Sequence, residues 1–274
     1  MTSLSRCPRR ATKIHRFVVA RAGHPAVAVR PEKARDLLDR ARMKPHTLDR
    51  SNYSPLLLTR VAAGWRRLVE DERRGIITSA HLAADLAALD APAAILAMAG
   101  RVVQDEIHHL EVCARVLEEV DPGARMSARI ECALGTSRPS PDETVLARTL
   151  VAEYALGKPA TASAFAAARA LVREPLFGWA YTELLHDETR HATFGARAAA
   201  WVVRTWSTQQ RQALWTQCLT SGASPATPRP KDAEAEELGL LPGELDCTLP
   251  RWIIPHLAPL GIHPRPANAQ ALVH

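Results

Sequence analysis

The sequence predicts an all-α protein: a bundle of four helices with one long crossover, followed by an extra C-terminal helical or irregular segment. Three observations predict it. Apolar residues recur at spacings of three and four through much of residues 56 to 206, the period of one face of an α-helix. That region falls into two stretches of similar layout, joined from roughly Asp121 to Pro141 by a Pro- and Gly-containing segment too long for a tight turn. Hydrophobic residues make up 47% of the chain and aromatic residues only 5%, a composition suited to closely packed, alanine-rich helices.

The first stretch begins with "WRRLVEDERRGIITSAHLAADL". Its inward register of Trp65, Leu68, Val69, Ile76, Ser79 and Ala83 passes through Glu72, while Glu70 points elsewhere. The turn "LDAPAA" at 89 to 94 reverses the chain. The return helix contains "RVVQDEIHHLEV", where Val102, Val103, Leu110, Cys113, Val116 and Leu117 form a stripe that includes Glu106 and His109. In the second stretch, "ETVLARTLVAEYALGKPATASAFAAARAL", the register of Leu146, Thr149, Leu150, Gly157 and Ala160 passes through Glu153. After the turn "VREPLF", the helix "LLHDETRHATFGARAAAWVV" places Glu188 and His191 in register with Leu184, Leu185, Phe194, Ala198 and Val202.

A lone Glu-x-x-His arises often by chance and usually marks a solvated face. Here Asp-Glu-x-x-His occurs twice, 82 residues apart, with both copies phased inward. Each is preceded by an inward Glu at almost the same offset, 34 residues from Glu72 to Glu106 and 35 from Glu153 to Glu188. That distance corresponds to one helix, a short turn and a return to the same height. Buried carboxylates and imidazoles need a partner, because an unpaired buried charge costs several kcal/mol or is neutralised. A metal ion is one such partner, and two hairpins each giving a Glu and a Glu-x-x-His match the carboxylate-bridged di-metal arrangement of helical bundles.

Over residues 60 to 206 the chain thus resembles the ferritin-like di-iron carboxylate superfamily. The resemblance implies a ferritin-like four-helix bundle with six metal ligands. Glu72 and Glu153 would be terminal or bridging carboxylates, Glu106 and Glu188 bridging or shifting ones, and His109 and His191 one imidazole for each metal. Four carboxylates against two divalent ions would make a neutral centre, and imidazole with carboxylate suits iron; a mixed manganese–iron pair fits the same donors. Zinc fits less well, since its structural sites favour thiolates and four ligands. The resemblance further implies that Asp105 supports His191 and Asp187 supports His109 through the ring nitrogen turned away from the metal.

Other polar residues read as ordinary. His81, His108 and His186 fall off the inward face, Cys113 borders the cavity as a small apolar residue, and Tyr181 reads as a core tyrosine. Cys113 stands where radical-storing relatives carry a tyrosine, and Leu184 where N-oxygenating relatives carry an additional histidine. Both departures lower those assignments. A Cys-x-x-Cys electron-transfer motif is missing from the sequence.

At chain level, residues 1 to 55 form a basic, Pro-containing extension expected to be partly disordered, 56 to 206 the bundle, and 207 to 274 a C-terminal extension packing on it. Within the last, "STQQRQALWTQCLTS" is expected to be a fifth helix, "SGASPATPRPKDAEAEELGLLPGELD" a linker with turns, and "LPRWIIPHLAPLGI" an apolar segment covering the bundle or making a homodimer contact. Basic arms can bind nucleic acid, but no recognition motif accompanies this one and nucleic acid is not expected as a partner. Five dispersed cysteines suggest a reducing compartment and a cytoplasmic location; neither a bilayer-spanning run nor a secretory leader is read.

The expected function is therefore that of a non-haem di-iron oxidase or oxygenase. It would use dioxygen and an external electron donor to oxidise a small organic molecule, in space left by Gly157 and Ala160 and widened by a bend at Pro159. Iron oxidation and handling in the manner of ferritins is the alternative. A non-catalytic bundle with a proton-sharing polar core is a minor one.

Overall fold

A computed structural model describes residues 47–124, 141–222, 232–241 and Leu260. Compactness divides the chain into Met1–Lys44 and Pro45–His274, and every described residue belongs to the second unit. Its described residues are mostly helical, with no strand among them, as the periodicity predicts. The basic extension up to residue 46, most of the crossover and most of the C-terminal apolar segment lie outside the described residues.

Helix α1 spans Pro55–Ala88. Ser54 caps it, its hydroxyl accepting from Leu57 N, and Pro55 occupies the first turn, where its missing N–H has no intrahelical partner to lose. The C-terminus closes with Asp90 in the left-handed region at φ 58°, Ala91 N bonding Leu86 O and Asp90 N bonding Ala87 O. This double closure satisfies terminal carbonyls, and Pro92 then leads into α2, Ala93–Val120. The predicted turn at 89 to 94 is where the chain reverses.

The second stretch starts at α3, Glu143–Thr149, capped by Asp142. It continues through a π-helical segment, Leu150–Gly157, into α4, Lys158–Leu171. Pro159 sits in the first turn of α4; without an N–H it cannot bond the carbonyl of Ala155, which favours the wider i→i+5 turn just before it. Helix α5 spans Pro175–Val202 and α6, the expected fifth helix, Thr208–Gly222. Helix α1 packs on α2, α2 on α5, and both α4 and the π segment on α5. The π segment lies so close to α5 that a Cβ at Gly195 would come within 2.4 Å of Tyr154 Cβ and 2.7 Å of Ala155 N.

Two apolar clusters fill the interior. One gathers Leu82, Leu86, Val102, Leu150, Phe194 and Val202; the other Val61, Trp65, Val116, Phe165, Leu176 and Tyr181. Along α1, α2 and α5 the residues between these clusters are polar, so the molecule carries a buried polar layer across its middle.

Part of the expected linker, residues 232–241, lies among the described residues. Ala233–Glu237 forms a short helix, α7, ended by Gly239 at φ 86°, with Leu240 N bonding Ala235 O and Gly239 N bonding Glu236 O. Gly239 O accepts from Trp65 Nε1 at 3.1 Å and Tyr181 Oη at 2.8 Å, so Tyr181 is the core tyrosine the sequence suggests. Leu48 and Leu260 are buried against the core as well. Trp65 is fully buried, and Trp65→Ala should lower the unfolding free energy by about 3–5 kcal/mol, read as a shift of the urea midpoint at unchanged slope.

Candidate metal centre

The polar layer is assembled from facing helices by the registers that put apolar residues above and below it. Glu72 comes from α1, Asp105, Glu106 and His109 from α2, and Asp187, Glu188 and His191 from α5; all seven are buried. One ligand atom from each of Glu72, Glu106 and His109 lies within 4.8 Å of the other two. His109 Nδ1 is 3.6 Å from Glu72 Oε2, and His191 Nδ1 is 3.4 Å from Glu106 Oε1 and 3.9 Å from Glu188 Oε2. The imidazoles face each other with ring centroids 5.6 Å apart. Gly75, almost one turn after Glu72, makes room for this grouping, because a Cβ there would lie 2.5 Å from Glu106 Oε2.

The aspartates lie beside the histidines of the facing helix. Asp105 Oδ2 is 3.3 Å from His191 Nε2, and Asp187 Oδ2 is 3.8 Å from His109 Nε2. Asp105 also accepts from Arg190 Nε at 3.0 Å and Nη2 at 2.8 Å and pairs with Arg101, while Arg190 bonds Asp187 too. Burial would raise the Asp105 pKa, but His191 and Arg190 outweigh it and hold the carboxyl below its ordinary value. As an ionised acceptor, Asp105 draws the proton of His191 onto Nε2, leaving the Nδ1 lone pair directed at Glu106 and Glu188.

Glu153 is not in this layer. It is exposed, and the buried residues of that stretch are Leu146, Ala147, Leu150, Val151, Tyr154 and Ala155. The α-helical register that predicts an inward Glu153 fails because Leu150–Gly157 is π-helical, and the wider turn brings Tyr154 rather than Glu153 to the interior. Lys158 takes the place instead. Its Nζ stands 2.8 Å from Glu106 Oε1 and 3.7 Å from Glu188 Oε1. At Gly157 a Cβ would meet Ala152 O of its own wide turn at 3.1 Å.

Three contributors thus escape the sequence reading: Lys158, Arg190 and Gly75. A signal for Lys158 exists, since it is the sole lysine between residues 45 and 230 in a chain that otherwise uses arginine for its cations there. Arg190 precedes His191 and looks like a surface residue until two aspartates converge on it. His108 pairs with Glu183 at 3.3 Å, and Cys113 and Leu184 are buried without polar function at the cluster.

The residues fit a bound cation. Both nitrogens of His109, Nδ1 of His191 and Oε2 of Glu188 are buried without a hydrogen-bond partner, an uncommon and costly state for polar atoms. Burial pushes the His109 imidazole down to about 4 and lowers that of His191, so both rings are neutral and offer lone pairs. Burial also raises Glu72, and pushes Glu188 up to about 8 against the opposing effect of Lys158. For Lys158 burial works against the charge, yet Glu188, Glu106 and Glu72 hold its ammonium well above the ordinary value. Comparison of the chain with protein-family models, curated proteins and solved structures finds no match.

These shifts set the pH dependence of the metal-free protein. Glu188 has a raised folded-state pKa, so its contribution is fully present below its unfolded value near 4.5 and is lost as pH rises through about 8. His109 has a depressed one, so stability falls as pH drops from 6.5 towards about 4. Metal-free protein should therefore lose stability between pH 6.5 and 8. Glu188→Gln should abolish that decline in pH-dependent urea melts, and saturating Mn(II) should flatten it.

Proposed function

We propose that the polar layer is the metal centre of a non-haem iron oxidoreductase that uses dioxygen and an external electron donor to oxidise a small organic substrate. The observation that carries this reading is the pair of fully buried imidazoles whose unpartnered nitrogens face unpartnered or weakly paired carboxylate oxygens. Carboxylate with imidazole is a donor set for iron or manganese, and such an ion would supply the electrons that reduce dioxygen. Glu72, Glu106 and His109 would hold it. Asp187 lies on the far side of the His109 ring, and Asp105 with Arg190 fixes His191. The apolar clusters above and below exclude water, and a ferritin-like bundle remains the architecture this proposal adopts. None of the cluster residues lines the cleft formed by Tyr53, Leu58, Ala62, Arg66 and Asp121.

One observation favours the non-catalytic alternative. Lys158 pairs with Glu106 and Glu188, as a self-contained polar network would. It leaves both nitrogens of His109 unpartnered, which a network selected for stability alone would not do.

Metal-free protein loaded anaerobically with Fe(II) and mixed with dioxygen should take up oxygen faster than free iron does, with a new visible absorption. His109→Ala should abolish both changes. Sustained oxidation of many added irons per chain would favour the ferritin-type alternative, and uptake no faster than free Fe(II) would defeat the oxidoreductase reading. Asp105→Asn, which removes the ionised acceptor from His191, should weaken Mn(II) binding about 10–100-fold, measured by equilibrium dialysis.

A further inference from the structure

The sequence points to four inward carboxylates and hence two divalent ions, but the folded chain assembles a different set of charges. Glu153 is exposed, and in the layer stand Glu72, Glu106 and Glu188 with one ammonium, that of Lys158. Asp105 and Asp187 are offset by Arg101 and Arg190, so the three glutamates, fully ionised once a metal displaces their protons, and one ammonium leave a formal charge of minus two, which one divalent ion neutralises. Two would leave the buried centre positive, an arrangement that low-dielectric surroundings penalise.

Geometry singles out the same position. A second ion would have to sit among Glu106, Glu188 and His191, and Lys158 Nζ already stands 2.8 Å and 3.7 Å from those two carboxylates. Glu72, Glu106 and His109 converge on one another; Lys158 meets only Glu106 among them, through Oε1, while Glu106 Oε2 lies against Gly75 of α1, and His109 is the ring with both nitrogens unpartnered. The placement of Lys158 is built into the backbone: the π segment ends directly before it, with Lys158 N bonding Glu153 O, and Gly195 admits that segment against α5. Lysine suits the place because its ammonium is a compact point charge, where the planar guanidinium used elsewhere in this region is not.

We propose that the Lys158 ammonium is a built-in substitute for a second metal ion, so that the chain binds one divalent cation, held by Glu72, Glu106 and His109. This rests on the metal-binding reading above and narrows it from a dinuclear centre to a mononuclear one.

The test is the number of Mn(II) ions bound by the full-length, metal-free chain, from equilibrium dialysis with metal analysis, together with the paramagnetic resonance spectrum of the bound ion. The wild type should bind one Mn(II) per chain with the hyperfine pattern of an isolated ion. Lys158→Glu restores a fourth carboxylate and should bind two, with a spectrum broadened by coupling between them. Lys158→Met removes only the ammonium and should bind a second ion more weakly than the first; it serves as the measurement if Lys158→Glu fails to fold by circular dichroism. Two coupled ions in the wild type would overturn this inference while leaving the metal reading intact. One ion in the wild type and still one in the folded variants would overturn the role given to Lys158. No bound Mn(II) in any of them would overturn the metal reading itself, and this inference with it.

Discussion

Everything in the middle of this molecule answers to one constraint: five carboxylates and two imidazoles are buried in one layer, and their charge has to be balanced there. Burial penalises each charged form separately, which is why Glu72 and Glu188 are raised and the histidines lowered. Lys158 supplies a positive charge from inside the layer, and Arg190 and Arg101 supply others from its margin through Asp105. Net folding stability is only a few kcal/mol out of much larger opposing terms. A layer with several unpartnered buried atoms is therefore costly to keep unless something binds in it.

The balance also explains the layout of the apolar core. Two clusters, rather than one continuous interior, lie on either side of the polar layer. Each secures the long helices independently, so that α1, α2 and α5 hold their polar residues at a fixed height. The close approach at Gly195 and the space at Gly75 belong to this same arrangement. In both places a single methyl group would displace a backbone or a carboxylate that the layer needs.

Much of this was legible in the sequence because it obeys an unbroken 3.6-residue period. The stripes through Glu72, through Glu106 and His109, and through Glu188 and His191 point inward as read, and the turns at 89 to 94 and 172 to 177 fall where Pro and Asp signals place them. The inward register expected for Glu153 fails for a physical reason: a π-helical segment breaks the period, and no residue type marks such a segment as clearly as Pro or Gly marks a turn. Pro159 reads in the sequence as a bend, whereas in the structure its missing N–H accompanies a wide turn. Lys158 could have been noticed for its isolation among arginines, yet only the fold shows which carboxylates it meets. The short helix at Ala233–Glu237 is hard to read from the sequence because a Pro- and Ser-rich stretch precedes it.

That segment changes where the unit ends. Gly239 O is the shared acceptor for Trp65 and Tyr181, side chains from α1 and α5, while Leu240 fills the hollow at Gly64. A boundary drawn after α5 would strip the acceptor from two buried donors and uncover the aromatic surface of Trp65, Phe177 and Tyr181. The folding unit is thus closed from a distance of more than thirty residues along the chain, and a fragment ending at residue 206 would be an incomplete core with a sticky aromatic face.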